Sequence, residues 1–233
     1  MRYILDVFRG APGEAGTRQS FAFETDDPNA TVADALERIN ERTPLLDASG
    51  SVAEPITWEC SCLQRRCGAC AMRVNGRPAL ACNARLSELG GETIALDPLS
   101  KFPLVRDLAV DRDAIYAGLE RLGVWLENEV ELPGRRAGVA SEASRCLQCG
   151  LCLEVCPQFA AEGAFRGTSG MMAMTRLLAE AGKGERKRLA KSYRKQLFGG
   201  CAKSLACRDI CPQELAIDEL VSRSNAAAVW GRW

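Results

Sequence analysis

The sequence predicts an α+β protein in two parts: a small sheet crossed by one helix in residues 1–100, then an all-helical part in residues 101–233. Three observations carry this. Partial alternation of apolar and polar residues marks Tyr3–Arg9 (YILDVFR) and Arg18–Glu24 (RQSFAFE) as strands. The period then changes: Val32, Ala35, Leu36 and Ile39 recur at helical spacing. Beyond Asp97-Pro98, a turn signal that sets the boundary near residue 100, strand signals become few and helical stripes take over.

The elements follow in order. The Gly/Pro-rich stretch Gly10–Gly16 joins the first two strands as a hairpin. Thr31 and Asp34 form a capping-box pattern at the start of the helix. VNGRPALAC is a second hairpin turning at Asn75-Gly76, and Glu92–Leu96 is a closing strand. In the second part Ile115, Leu119, Leu122 and Leu126 make a helical stripe that Pro133-Gly134 ends. Gly163–Gly170 is expected as a loop. Met171–Glu180 and Glu185–Phe198 are expected as helices, stopped by Gly182 and by Gly199-Gly200. Met171, Met172 and Met174 read as packing rather than ligands.

Composition narrows the function. Lys and Arg together number 30, and so do Asp and Glu, so the net charge of zero argues against a nucleic-acid partner. No apolar run reaches membrane-spanning length. Asp6 interrupts the short N-terminal apolar run, so it is not expected to be a secretory signal. The 12 cysteines therefore do not suggest a disulfide framework, and the absence of histidine weakens zinc.

Eleven of those cysteines fall into iron–sulfur spacings. Cys62, Cys67, Cys70 and Cys82 have gaps of four, two and eleven residues, the plant-type 2Fe–2S pattern. Three of these four sit on one tight loop where Gly68 lets the backbone close, and the fourth is expected on the strand beyond the second hairpin. Cys60 breaks the spacing. It reads as a small buried apolar residue beside the cluster, with an alternative ligand as the second reading. Trp58 reads as core packing. Arg65 and Arg66 either offset the thiolate charge or are ordinary surface charges.

RCLQCGLCLEVCP, Arg145–Pro157, is the bacterial ferredoxin run, in which the fourth cysteine serves a second cluster. It repeats at Cys201, Ser204, Cys207 and Cys211-Pro212, with serine in place of the second cysteine. The crossed rule then groups Cys146, Cys149, Cys152 and Cys211 on a 4Fe–4S cluster. Cys156, Cys201 and Cys207 remain for the other, which with three thiolates holds 3Fe–4S. An oxygen ligand from Ser204 to a fourth iron is the alternative, disfavoured because thiolate suits these irons better. With no Gly-rich dinucleotide fingerprint and no histidine, the simplest function is an electron wire.

On these motifs the chain resembles the iron–sulfur subunit of succinate dehydrogenase and fumarate reductase, over nearly its whole length. Lys101–Asp111, KFPLVRDLAVD, looks like that family's domain junction, and Cys149–Phe159, CGLCLEVCPQF, is closer to its fumarate reductase members. The resemblance implies a β-grasp 2Fe–2S ferredoxin-like domain packed on an FAD-containing catalytic subunit that interconverts succinate and fumarate. An all-α two-cluster ferredoxin domain follows it. It further implies a membrane anchor bearing quinone or haem b, and a peripheral place on the cytoplasmic side of the membrane, held through those partners. Ala160, Ala161, Ala202 and Gln213 stand where ubiquinone-using relatives have tryptophan, histidine and lysine. Haem in the anchor, menaquinone elsewhere, or another carrier then becomes the expected acceptor.

Two rivals have distinct signatures. The iron–sulfur part of a thiol-dependent reductase would carry more cysteine-rich repeats, and Gln213–Trp233 has none. A free-standing ferredoxin would be isolated without a flavoprotein. The stretch Lys183–Lys195 has seven basic residues and one acidic. It reads as a solvated helix face, with anionic lipid or a partner as the other reading.

Overall fold

The structure, a computed structural model, describes residues 1–128 and 134–232. The chain divides into two compact units, Met1–Asp111 and Arg112–Trp233.

The first unit is built on five strands: β1 (Arg2–Arg9), β2 (Thr17–Glu24), β3 (Ala71–Val74), β4 (Arg77–Leu80) and β5 (Thr93–Asp97). Their order in the sheet is β2-β1-β5-β3-β4. β1 runs antiparallel to β2 and parallel to β5, while β3 runs antiparallel to both β4 and β5. Alternation puts Tyr3, Leu5 and Val7 of β1 inward, with Phe21, Phe23, Ile94 and Leu96 from its neighbours. Helix α1 (Val32–Asn40) buries Val32, Leu36 and Ile39. The Thr31 side chain accepts from the Asp34 N–H while the Asp34 carboxylate accepts from the Thr31 N–H, which is the expected capping box. Asn75 (φ 49°) and Gly76 (φ 76°) are both left-handed, as a tight two-residue hairpin turn requires.

Lys101–Asp111 packs with the first unit, later in the chain than the boundary expected near residue 100. It carries a small hairpin, β6 (Leu104–Arg106) and β7 (Ala109–Val110). Between them Asp107 is buried. Its carboxylate accepts from the Gly10 N–H at 3.1 Å and the Thr57 N–H at 2.9 Å, and lies 3.4 Å from the Arg9 guanidinium. These bonds hold the segment on the sheet.

The second unit contains α2 (Asp113–Leu122), α3 (Gly134–Ser144), α4 (Leu151–Glu154), α5 (Gly167–Glu180), α6 (Lys183–Tyr193), α7 (Ala206–Asp209) and α8 (Ile217–Trp230). Helix α5 is central and packs against α2, α3, α4, α6 and α8. Met171, Met172 and Met174 are buried in this core, as packing residues should be. Three expectations are corrected. Leu126 lies outside α2, because Gly123 adopts a left-handed φ of 69° and stops the helix. Pro133, the expected stop, lies outside the described residues. The loop expected over Gly163–Gly170 ends early, since α5 already begins at Gly167. Helices α3 and α8 fit the helical character expected of this part, but with no strong apolar stripe the sequence does not mark them individually. Helix α6 passes into a π-helical turn, Arg194–Phe198, where the sequence suggests one continuous helix.

The basic stretch is only half a solvated face. Arg186 donates to the carbonyls of Leu178 and Ala181, Arg188 to those of Gly123 and Trp125, and Arg194 to that of Ala228. Lys183, Lys187, Lys191 and Lys195 are exposed. The arginines close helix ends because each guanidinium offers several donors to free carbonyls.

Candidate iron–sulfur centres

In the first unit, Cys62, Cys67 and Cys70 lie on the loop that leads into β3. Cys82 lies on a short 3-10 turn, Ala81–Asn83, just past β4 rather than on the strand itself. Helix α1 packs on that turn, and the Ala81 N–H donates to the Cys70 carbonyl. The four thiols come together in pairs, Cys62 with Cys67 and Cys70 with Cys82. Leu63 (φ 52°), Arg65 (φ 57°) and Gly68 (φ 77°) are left-handed, and this turns successive N–H groups toward sulfur. Gln64 and Arg66 donate to Cys62 Sγ at 3.3 and 3.2 Å, Arg65 to Cys82 Sγ at 3.3 Å, and Ala69 to Cys67 Sγ at 3.4 Å. Left-handed backbone at non-glycine residues costs about 1–2 kcal/mol each, so strain gathers at this loop. The Gln64 and Arg66 amides bring the Cys62 thiol down to about 7, whereas burial pushes Cys70 up to about 12.

Arg65 and Arg66 thus act on the thiols through their backbone, a role residue type alone does not reveal. Cys60 is corrected: it is exposed, not buried, and has Glu37 and Cys67 as neighbours. Trp58 is half-buried.

In the second unit the two cysteine runs place left-handed residues and a short helix at matching positions. Gln148 (φ 54°) and Gly150 (φ 87°) are left-handed ahead of α4, which carries Cys152. Lys203 (φ 58°) and Leu205 (φ 59°) are left-handed ahead of α7, which carries Cys207. Cys149 and Ser204 occupy the same place between the left-handed pairs. The two short helices pack on each other. Arg145 donates to the Gln213 carbonyl at 2.7 Å, tying the start of one run to the end of the other.

Two cavities result. One is bordered by Cys146, Cys149, Cys152 and Cys211. The other is bordered by Cys156, Cys201, Cys207 and Ser204. Among the described residues no three Cys, Asp or Glu side chains converge as a single-ion site requires. Burial pushes the Cys149 thiol up to about 11 and Cys152 well above the usual thiol range, and it also raises Cys146 and Cys207. Several buried thiolates so close repel one another, and only bound cations would hold them deprotonated together. The donor sets therefore suit clusters of iron. Arg112, whose guanidinium donates to the Cys149 carbonyl at 3.4 Å, adds positive charge at the first cavity.

The residues at the expected quinone positions do not all border one cavity. Ala202 borders the second and Gln213 the first, while Ala160 is exposed and Ala161 half-buried.

Comparison with known proteins agrees with this chemistry. Residues 4–117 match the family profile described as a 2Fe-2S iron-sulfur cluster binding domain, and residues 142–215 the one described as a 4Fe-4S dicluster domain. The succinate dehydrogenase iron-sulfur subunit of Bacillus subtilis is 31% identical over 208 residues, covering 85% of this chain and 81% of that protein. The chain belongs to the iron–sulfur subunits of the succinate dehydrogenase and fumarate reductase family. The fumarate reductase iron-sulfur subunit of Wolinella succinogenes is 28% identical over 236 residues, covering 94% of this chain and 93% of its own length. Among solved structures, a chain of the Mycobacterium smegmatis Sdh1 complex in the apo form shares the fold, with a TM-score of 0.76 and 23% identity. That match covers 96% of this chain and 95% of the other. As a member of the family the protein is an electron-transfer subunit of an oxidoreductase, with a 2Fe–2S domain followed by a dicluster domain. No helix among the described residues is long and apolar enough to cross a membrane.

Proposed function

We propose that the chain relays electrons within a succinate dehydrogenase/fumarate reductase complex, between an FAD-containing catalytic subunit and a membrane anchor bearing quinone or haem b. The clusters, when bound, supply successive one-electron sites between those partners. Cys62, Cys67, Cys70 and Cys82 hold the 2Fe–2S cluster in a β-grasp domain. Cys146, Cys149, Cys152 and Cys211 hold 4Fe–4S, and Cys156, Cys201 and Cys207 hold 3Fe–4S, in an all-α ferredoxin domain. The subunit sits peripherally on the cytoplasmic side of the membrane through its partners. The single observation that carries this reading is the repeated backbone of the two runs, with Ser204 where the first run has Cys149. A thiolate is missing at that one point of an otherwise complete pair of sites. Removing one thiolate lowers the negative charge around the second cluster and favours its accepting electrons.

Electron paramagnetic resonance tests the assignment. The oxidised protein is expected to show a three-iron signal, and the reduced protein separate 2Fe–2S and 4Fe–4S signals. A fully loaded protein without a three-iron signal overturns it. Ser204→Cys is expected to convert the three-iron site toward 4Fe–4S and to lower its potential. An unchanged three-iron signal in that variant would remove Ser204 from control of the site. Co-expression with the cognate flavoprotein should give a stable complex. A loaded, soluble monomer that ignores the flavoprotein instead points to a free-standing ferredoxin.

A further inference from the structure

The first turn of α5 stands between the two cavities of the second unit. Thr168 borders both, Ser169 borders the first, and Met171 borders the second. Thr168 and Ser169 are buried. From this junction one polar side chain reaches a thiol of each set. Gln148 donates from Nε2 to Cys146 Sγ at 3.5 Å and to the Ser169 carbonyl at 3.2 Å. Its Oε1 is buried with no hydrogen-bond partner. Both neighbours of Nε2 are acceptors, so the reversed amide would set oxygen against oxygen and sulfur, and the orientation is determined. A buried orphan oxygen costs about 1–3 kcal/mol, so glutamine here works against stability, which points to a use for its N–H groups. On the other side Thr168 lines the second cavity together with Cys207, and its hydroxyl works against the burial that raises that thiol.

We propose that Gln148 and Thr168 are positioning residues that set the two reduction potentials of this unit separately, Gln148 through Cys146 and Thr168 through Cys207. A hydrogen bond donated to cysteine sulfur stabilises the more negative, reduced state and so raises the potential. Neither side chain is a ligand. Each acts only through the thiolate it touches. The gap between the two potentials, and with it the direction in which an electron settles across the shared wall, is then adjustable by single side chains. This inference rests on the ligand sets proposed above.

Redox titration of the holoprotein, followed by electron paramagnetic resonance, tests it. Gln148→Leu puts an apolar side chain in its place and removes both the donor and the orphan oxygen. It is expected to move the 4Fe–4S midpoint to more negative potential, leave the three-iron midpoint in place, and cost no thermal stability. Thr168→Val is expected to do the converse, lowering only the three-iron midpoint, and Thr168→Ser to restore it. Midpoints that stay fixed, or that move together in either variant, overturn the proposal. Gln148→Met and Thr168→Ala repeat the test with an adaptable and a smaller side chain. Cluster loss in these too, with no shift beforehand, leaves the residues a purely structural role and also overturns it. If the unaltered protein lacks either signal, the ligand sets have failed. If it has both and the variants do not shift them, only the tuning has failed.

Discussion

In the first unit the backbone reaches the thiols, through the N–H groups of Gln64, Arg65, Arg66 and Ala69. In the second unit the backbone N–H groups of Gln148 and Leu151 also face Cys146 and Cys149, and side chains join them, the Gln148 amide at Cys146 and Thr168 beside Cys207. The burial of the sulfurs differs in the same sense. In the first unit Cys67 is exposed, Cys62 and Cys82 are half-buried and only Cys70 is buried, whereas in the second Cys149 is buried and Cys146, Cys201, Cys207 and Cys211 pack against the apolar core. The sheet of the first unit has a core of its own, with Leu5, Val7, Phe21, Leu36, Ile39, Ile94 and Leu96 fully or almost fully buried. Its cluster loop is an appendage on a scaffold that closes without it. In the second unit the cysteines are part of the wall of the core, so the clusters and the fold depend on each other. A surface loop can only present donors that its own backbone carries. A buried site between helices can recruit side chains from several elements, and each can change without moving the chain.

The strongest way to break this comparison is to strip the clusters from the whole chain with a chelator. Metal-binding energy is folding energy where the site is part of the core. Hydrogen-exchange protection of α5 and α8 should fall by on the order of 5 kcal/mol or more, while β1, β2 and β5 keep most of theirs. Equal losses in both units would mean that the first unit also folds around its cluster.

A smaller effect is expected at Asp107, whose carboxylate is the protein's own fastening of residues 101–111 onto the first unit. Asp107→Ala leaves two N–H groups and the Arg9 guanidinium without their acceptor. It should cost about 3 kcal/mol in a urea melt of the first unit. The spectroscopic signals of the second unit should not change. Asp107→Asn keeps one acceptor oxygen and should lose less.

The smallest effect is expected at Thr31. Thr31→Ala removes the capping box of α1 and should cost about 1 kcal/mol. The 2Fe–2S signal should persist, because the loop amides and not α1 contact the sulfurs. Loss of that signal would show that α1, through the turn carrying Cys82, is as much a part of the site as the loop.

Local chemistry made much of this legible. The capping box at Thr31 and Asp34 and the left-handed turn at Asn75-Gly76 involve residues a few positions apart, and each appears in the structure as the pattern demands. Helices α3 and α8 are not legible as separate elements because small residues on their faces leave no strong apolar stripe. Leu126 continued a helical period that Gly123 had already interrupted. For Cys60 the residue type suggested burial, and its surroundings decided otherwise.

By itself the sequence determined the donor chemistry. Twelve cysteines without a histidine, at ferredoxin-type spacings and with serine at position 204, limit what the chain can bind whatever its shape. Only the tertiary structure decided what surrounds those sulfurs. That Asp107 fastens onto strand β1's end, that backbone amides of Gln64 and Arg66 face Cys62, and that Thr168 walls off two cavities at once all depend on how distant or strained segments come to rest. Spacing along the chain records which atoms can bind. Potential and stability depend on hydrogen bonds and burial, which exist only once the chain is folded.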